Sequence, residues 1–135
     1  MTRLCIQAYF AYIGNLNPET FEEVGRVFVD RFRLARTLHE NIHVGGYESY
    51  SDGQAMHIHT HSNFYEEDEE PIYKDYPEET VILDVYSARP NDPVIRYLLE
   101  RTDLYRLAKP LVVFGDSGIR HYVGWGPVPE ELLGR

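Results

Sequence analysis

Apolar and polar positions follow two periods along this chain. Leu4 to Ile13 (LCIQAYFAYI) is dense in aromatic and branched residues and reads as a buried strand. Gly14-Asn15-Leu16 turns the chain. Asn17-Pro18-Glu19 then has helix-start chemistry, with Asn as the cap, Pro at the first helical position and acids in the first turn. Phe21, Val24, Phe28, Phe32 and Ala35 recur at helical spacing and Leu38 continues the stripe, which predicts an amphipathic helix from Pro18 into the high thirties. From Ile42 to Ser62 the pattern is a hairpin around Ser51-Asp52-Gly53. Its second strand alternates, placing His57, His59 and His61 on one face and Met56, Ile58 and Thr60 on the other. Asn63 to Pro77 is polar and reads as a surface loop, with acids at every position from Glu66 to Glu70. Thr80 to Ala88 is predicted as a central strand. Asn91-Asp92-Pro93 repeats the helix start, ahead of Val94, Ile95, Leu98 and Leu99. Leu111 to Phe114 and His121 to Trp125 are strands about a turn at Asp116-Ser117-Gly118, and Pro127, Pro129 and Gly134 mark an irregular tail.

The order is strand, helix, hairpin, strand, helix, strand. It predicts an α/β (α+β) two-layer sandwich, ferredoxin-like β-α-β-β-α-β with a C-terminal strand extension. The helices would cover one sheet face and leave the other for solvent or another copy. The 135 residues are expected to form a single domain, 1–135. No apolar run reaches the roughly 20 residues of a membrane span, and no secretory signal stands at Arg3 and beyond, so the expected compartment is cytoplasmic. The lone Cys5 excludes an intrachain disulfide and reads as core.

Charge narrows the partners. Twenty-two acids against thirteen basic residues give −9. Phosphate contacts dominate nucleic-acid affinity, so this balance argues against a nucleic-acid partner. It favours a cationic metabolite, a metal ion or a basic protein surface, because an acidic surface raises encounter rates with cations. Eleven tyrosines suit sites that need one apolar face and one polar tip.

Three groups of residues have candidate chemistry. His39-Glu40-Asn41-Ile42-His43 matches H-E-x-x-H, which on a helix would aim two imidazoles at a zinc ion. Gly53, His59, His61 and Glu66 have the spacing of a first cupin motif, but its second motif is missing, and His57, His59 and His61 otherwise belong on an exposed hairpin face or against a subunit neighbour. No metal or other cofactor is assigned. Among the carboxylates, Glu78 and Glu79 precede the central strand and are placed to aim into a cleft, while Glu48 and Asp84 lie within strands and need partners.

Four stretches resemble the small phage enzymes that destroy S-adenosylmethionine, the SAM hydrolases now regarded as SAM lyases. These are Thr37-Leu38, Gly45-Gly46-Tyr47-Glu48-Ser49, Pro77-Glu78-Glu79-Thr80-Val81, and Leu111-Val112-Val113-Phe114 followed by a closing strand through Trp125. The resemblance covers most of the chain, as layout rather than identity. It implies intramolecular cleavage to methylthioadenosine and homoserine lactone, with Glu78 and Glu79 as the catalytic anchors. It also implies a substrate site of Tyr47, Glu48, Tyr73 and Tyr76 between the subunits of a trimer, and a biological role in countering SAM-dependent host defence (anti-restriction). The insertion Asn63–Asp75 displaces the tyrosine that family members place before the double glutamate, and Tyr65, Tyr73 and Tyr76 compete for that role. Ile58-His59-Thr60, Leu83-Asp84-Val85-Tyr86-Ser87 and Asp92-Pro93 are similar to prokaryotic S-adenosylmethionine decarboxylase. Its pyruvoyl serine and catalytic cysteine would fall on Gln54 and Ala88, so that chemistry could not operate here. Two readings stand beside the lyase: an acidic non-enzymatic inhibitor or ligand-sequestering protein, and a metal-dependent enzyme using the histidines.

Overall fold

The computed structural model describes residues 3–41, 45–65 and 69–133. In chain order the elements are β1 (Leu4–Tyr12), α1 (Thr20–Asp30), β2 (Ala35–Asn41), β3 (Gly45–Ser51), β4 (Met56–Ser62), β5 (Val81–Ser87), α2 (Pro93–Glu100), β6 (Tyr105–Leu107), β7 (Leu111–Gly115) and β8 (Arg120–Gly124). They form one sheet in the order β2-β3-β4-β5-β1-β7-β8, with β6 paired to the end of β1. Every ladder is antiparallel. The fold is α+β, and none of its described helices is long and apolar enough to cross a membrane.

This order departs from the six-element pattern expected. The stripe ending in Phe32, Ala35 and Leu38 is not one helix. Arg33 takes a left-handed backbone (φ 56), the Leu34 N–H closes back onto Phe28 O at 3.0 Å, and Ala35 onward is extended. The three apolar positions mimic helical spacing across a real boundary: Phe32 packs edge-on against Tyr97, whereas Leu38 is exposed on an edge strand. The added β2 pairs with β3 along its whole length. Other local readings hold. Asp92 caps α2, its Oδ1 accepting from Val94 N–H at 2.9 Å, with Pro93 at the first helical position. The Asp52 carboxylate closes the β3–β4 turn by accepting from three successive amides, Gln54 to Met56.

Alternation sorts the side chains of each strand. Ile6, Ala8 and Phe10 of β1, Met56 and Ile58 of β4, and Leu83 and Val85 of β5 share one buried cluster with Val24 and Phe28 of α1 and Val94, Ile95 and Leu98 of α2. A polar network lies on this same side. Tyr50 Oη donates to Glu48 Oε2 at 2.5 Å, and Arg36 Nη2 binds Glu48 Oε1 at 2.5 Å. Glu48 is buried but fully partnered, as a buried carboxylate must be. Burial and the neighbouring carboxylate push the Tyr50 phenol well above its usual range, so it stays a donor.

Gly25 makes this packing possible. A Cβ there would stand 1.8 Å from Tyr50 Oη. Helix propensity alone would make Gly25→Ala stabilising by about 0.5–1 kcal/mol, but overpacking of a core costs about 1–3 kcal/mol, so the clash decides the sign. Gly25→Ala is expected to lower unfolding free energy in urea by about 1–2 kcal/mol. In a Tyr50→Phe background, where the hydroxyl is gone and the nearest atom is the ring Cζ at 2.8 Å, the same substitution should cost less.

Candidate functional site

Among the described residues, α1 and α2 both pack on the first face of the sheet and no helix covers the second. It receives the alternate side chains: His39 of β2, Tyr47 and Ser49 of β3, His57, His59 and His61 of β4, Asp84 and Tyr86 of β5, and Gln7 and Tyr9 of β1. The register aligns His59 with Asp84, Asp84 with Tyr9, and His57 with Tyr86. Rings run across five strands of this face. His39 stacks on Tyr47 at 4.8 Å, Tyr47 meets His59 at 5.4 Å, His59 meets His57 at 5.4 Å, His57 stacks on Tyr86 at 5.1 Å, and Tyr86 reaches Phe114 at 6.3 Å. Cross-strand ring pairs of this kind stabilise a sheet. They also present a wall of π-faces and imidazole nitrogens.

Asp84 sits at the centre. Its Oδ1 accepts from Gln7 Nε2. Burial raises its pKa above the usual carboxylate value, against the pull of His59, His61 and His57 and the Gln7 bond. Burial lowers the pKa of His59 and His61 below 6.5, so both rings are neutral at pH 7. The ring nitrogen His61 Nδ1 lies 2.8 Å from Ser62 O; the N–H there donates and leaves Nε2 an acceptor in the neutral ring. Asp84 therefore has an amide and uncharged imidazoles around it, and no Lys or Arg pairs with it among the described residues.

A loop leans over one end of this face. Buried Asn63 organises it: Nδ2 donates to the carbonyls of Tyr73, Tyr76 and Pro77 at 2.9–3.1 Å, and Oδ1 accepts from Tyr73 N–H at 2.8 Å. Tyr73 comes under the influence of Tyr9 and Asp84, and burial with those charges pushes its phenol up to about 12. Tyr76 is half-buried in the same loop, and Glu78 and Glu79 are exposed in the turn that leads into β5.

The expected site residues thus fall in three places. Tyr47 and Tyr73 reach the ring-lined face. Glu78, Glu79 and Tyr76 stand on the loop at its margin. Glu48 points the other way, because neighbours on a strand face opposite sides, and it is engaged under α1. His39 and Glu40 lie on a strand rather than a helix, which removes the helical basis of the H-E-x-x-H reading; His43 lies outside the described residues, as do Glu66 to Asp68. His57, His59 and His61 share a face as the alternation predicts. Among the described residues no three His, Cys, Asp or Glu side chains converge to hold a metal ion. Asp84 was legible only as a strand carboxylate in need of a partner. Its centrality comes from Gln7 and Tyr9, which are 77 and 75 positions away in sequence.

Two opposite pH dependences follow. The depressed His59 and His61 contribute stability that is present above pH 6.5 and lost as pH falls through their folded values. The raised Asp84 contributes in the other sense: its stability is full below 3.8 and lost as pH rises through the folded value. Asp84→Asn is therefore expected to melt higher than the parent at pH 7, with the gain shrinking toward pH 4; thermal melts at both pH values check this. No family model matches this chain, and no curated protein or solved structure matches it.

Proposed function

We propose that the ring-lined face binds S-adenosylmethionine and promotes its intramolecular cleavage, as the resemblance to SAM lyases implies. The observation that carries this reading is Asp84, a half-buried carboxylate without a cation, set among aromatic rings on the sheet face that no helix covers. S-adenosylmethionine brings an adenine, a sulfonium, an ammonium and a carboxylate, with one net positive charge. Adenine stacks on Tyr or His rings, and its positive centres are drawn to carboxylates and π-faces. The charge of −9 adds attraction at longer range.

Little chemistry is asked of the protein. A carboxylate oxygen of the substrate attacks its own γ-carbon, and the γ-carbon–sulfur bond breaks. Sulfur keeps the electron pair, so neutral methylthioadenosine leaves and homoserine lactone retains the ammonium. Holding that folded geometry supplies a proximity term that reaches about 7–11 kcal/mol in well-oriented intramolecular cases. In this reading Tyr47 and Tyr73 flank the substrate, Asp84 faces a positive centre, and Glu78 or Glu79, with Tyr76, anchors ribose or ammonium from the loop. Glu48 supports the strand that presents Tyr47. The inner order β7-β1-β5-β4, with α1 and α2 in the crossovers, supports a ferredoxin-like core carrying β2, β3 and β8 as additions. A second copy or a trimer laid against the open face would enclose the site, inside a cell where the substrate is made.

Incubation with S-adenosylmethionine is expected to yield methylthioadenosine by chromatography and homoserine lactone by mass, at a rate unchanged by EDTA. Glu79→Gln should lower turnover by orders of magnitude, and Asp84→Asn should lower kcat/KM at least about tenfold, or about 1.4 kcal/mol, with circular dichroism unchanged. Intact substrate and no heat of mixing would sink the reading. Binding without products would favour sequestration, and loss of activity on chelation would favour a histidine-bound metal.

A further inference from the structure

We propose that a hollow on the open sheet face, over the paired strands β1 and β7 and beside the β7–β8 turn, is a second subsite on that face, for a small planar anion, an aromatic ring bearing a phosphate or carboxylate. The hollow has a volume of about 290 Å³, and its walls include Gln7, Tyr9, Lys109, Phe114, Gly118 and Arg120. Two cations line it, and no acid does, in a chain with 22 acids and 13 basic residues. Elsewhere Arg26, Arg36, Arg89 and Arg101 each have a carboxylate partner. Lys109 and Arg120, like Arg31, Arg33, Arg96 and Arg106, have none among the described residues.

The fold holds both cations at the hollow. Ala108 N–H donates to Tyr9 O at 2.7 Å, which ties the chain at Lys109 to β1. The ammonium of Lys109 then lies 4.0 Å from the centre of the Tyr9 ring, a cation–π contact that keeps the charge over the hollow. Gly118, with φ 81, makes the tight turn that returns the chain, and Arg120 comes level with Phe114 where the β7–β8 register shifts. Tyr9 and Phe114 offer ring faces, while the two cations offer donors to an oxyanion, and charge-assisted bonds of that type are the strong ones. The negative field of the whole protein repels anions, so the ligand must be recognised at short range by ring and charge together. S-adenosylmethionine is a net cation, and this subsite does not depend on its cleavage.

Amide NMR titrations of the full chain test the proposal with four probes: adenosine 5′-monophosphate, indole-3-propionate, adenosine and inorganic phosphate. At least one of the first two should shift Gln7, Phe114 and Gly118 and saturate at a concentration at least about tenfold below the last two, a difference of about 1.4 kcal/mol. The stronger of the two anionic probes identifies a phosphate or a carboxylate head. Lys109→Gln and Arg120→Gln, both at exposed positions, should each weaken that binding about tenfold without changing the melting temperature. Silence from both ring-bearing anions, equal binding of adenosine or of phosphate alone, or unchanged affinity in both variants would overturn it. None of these outcomes changes if S-adenosylmethionine proves not to be a substrate.

Discussion

The period-two alternation of an all-antiparallel sheet is the constraint on which the rest depends. Each strand must divide its side chains between two faces. Both helices join the core on one side, with Phe28 and Leu98 meeting the inward residues of β1, β3, β4 and β5. That side absorbs most of the apolar side chains of the inner strands. The other face buries Cys5, Ala11 and Ile82, but its middle is occupied by histidine, tyrosine, glutamine and one aspartate. Antiparallel sheets commonly leave one face polar, but a solvated face is usually charged and varied. This one is aromatic, continuous over five strands, and centred on a carboxylate.

Much of the fold was legible because its signals are local. The Asp92-Pro93 helix start, the Asp52-Gly53 turn and the alternation of Met56 to Ser62 each follow from a few neighbouring residues, and each is found in place. The strand β2 was not legible. Phe32, Ala35 and Leu38 continue a helical period, and no glycine or proline marks the break; Arg33 makes it with a left-handed backbone, which a sequence signals poorly. The site shows the same division. Alternation put three histidines on one face, but nothing local joins Asp84 to Gln7 or Tyr73, since those meetings depend on strand order and on the loop gathered by Asn63. Glu48 shows the limit from the other side. A motif reading sets it beside Tyr47, whereas the pleat sends it to the opposite layer.

Two strand carboxylates are partnered very differently in this molecule. Glu48 is nearly inaccessible, yet Arg36 and Tyr50 meet both of its oxygens, so its charge is compensated within the fold. Asp84 is more open but less well served. Gln7 donates one bond, His59 and His61 are driven neutral by the same burial, and Tyr9 and Tyr73 are themselves held protonated by it. A carboxylate whose pKa is raised by burial, amid rings and with no Lys or Arg paired to it among the described residues, marks a candidate functional site. The fold gives Glu48 its arginine, and among the described residues it gives Asp84 only the Gln7 amide as a hydrogen-bond donor.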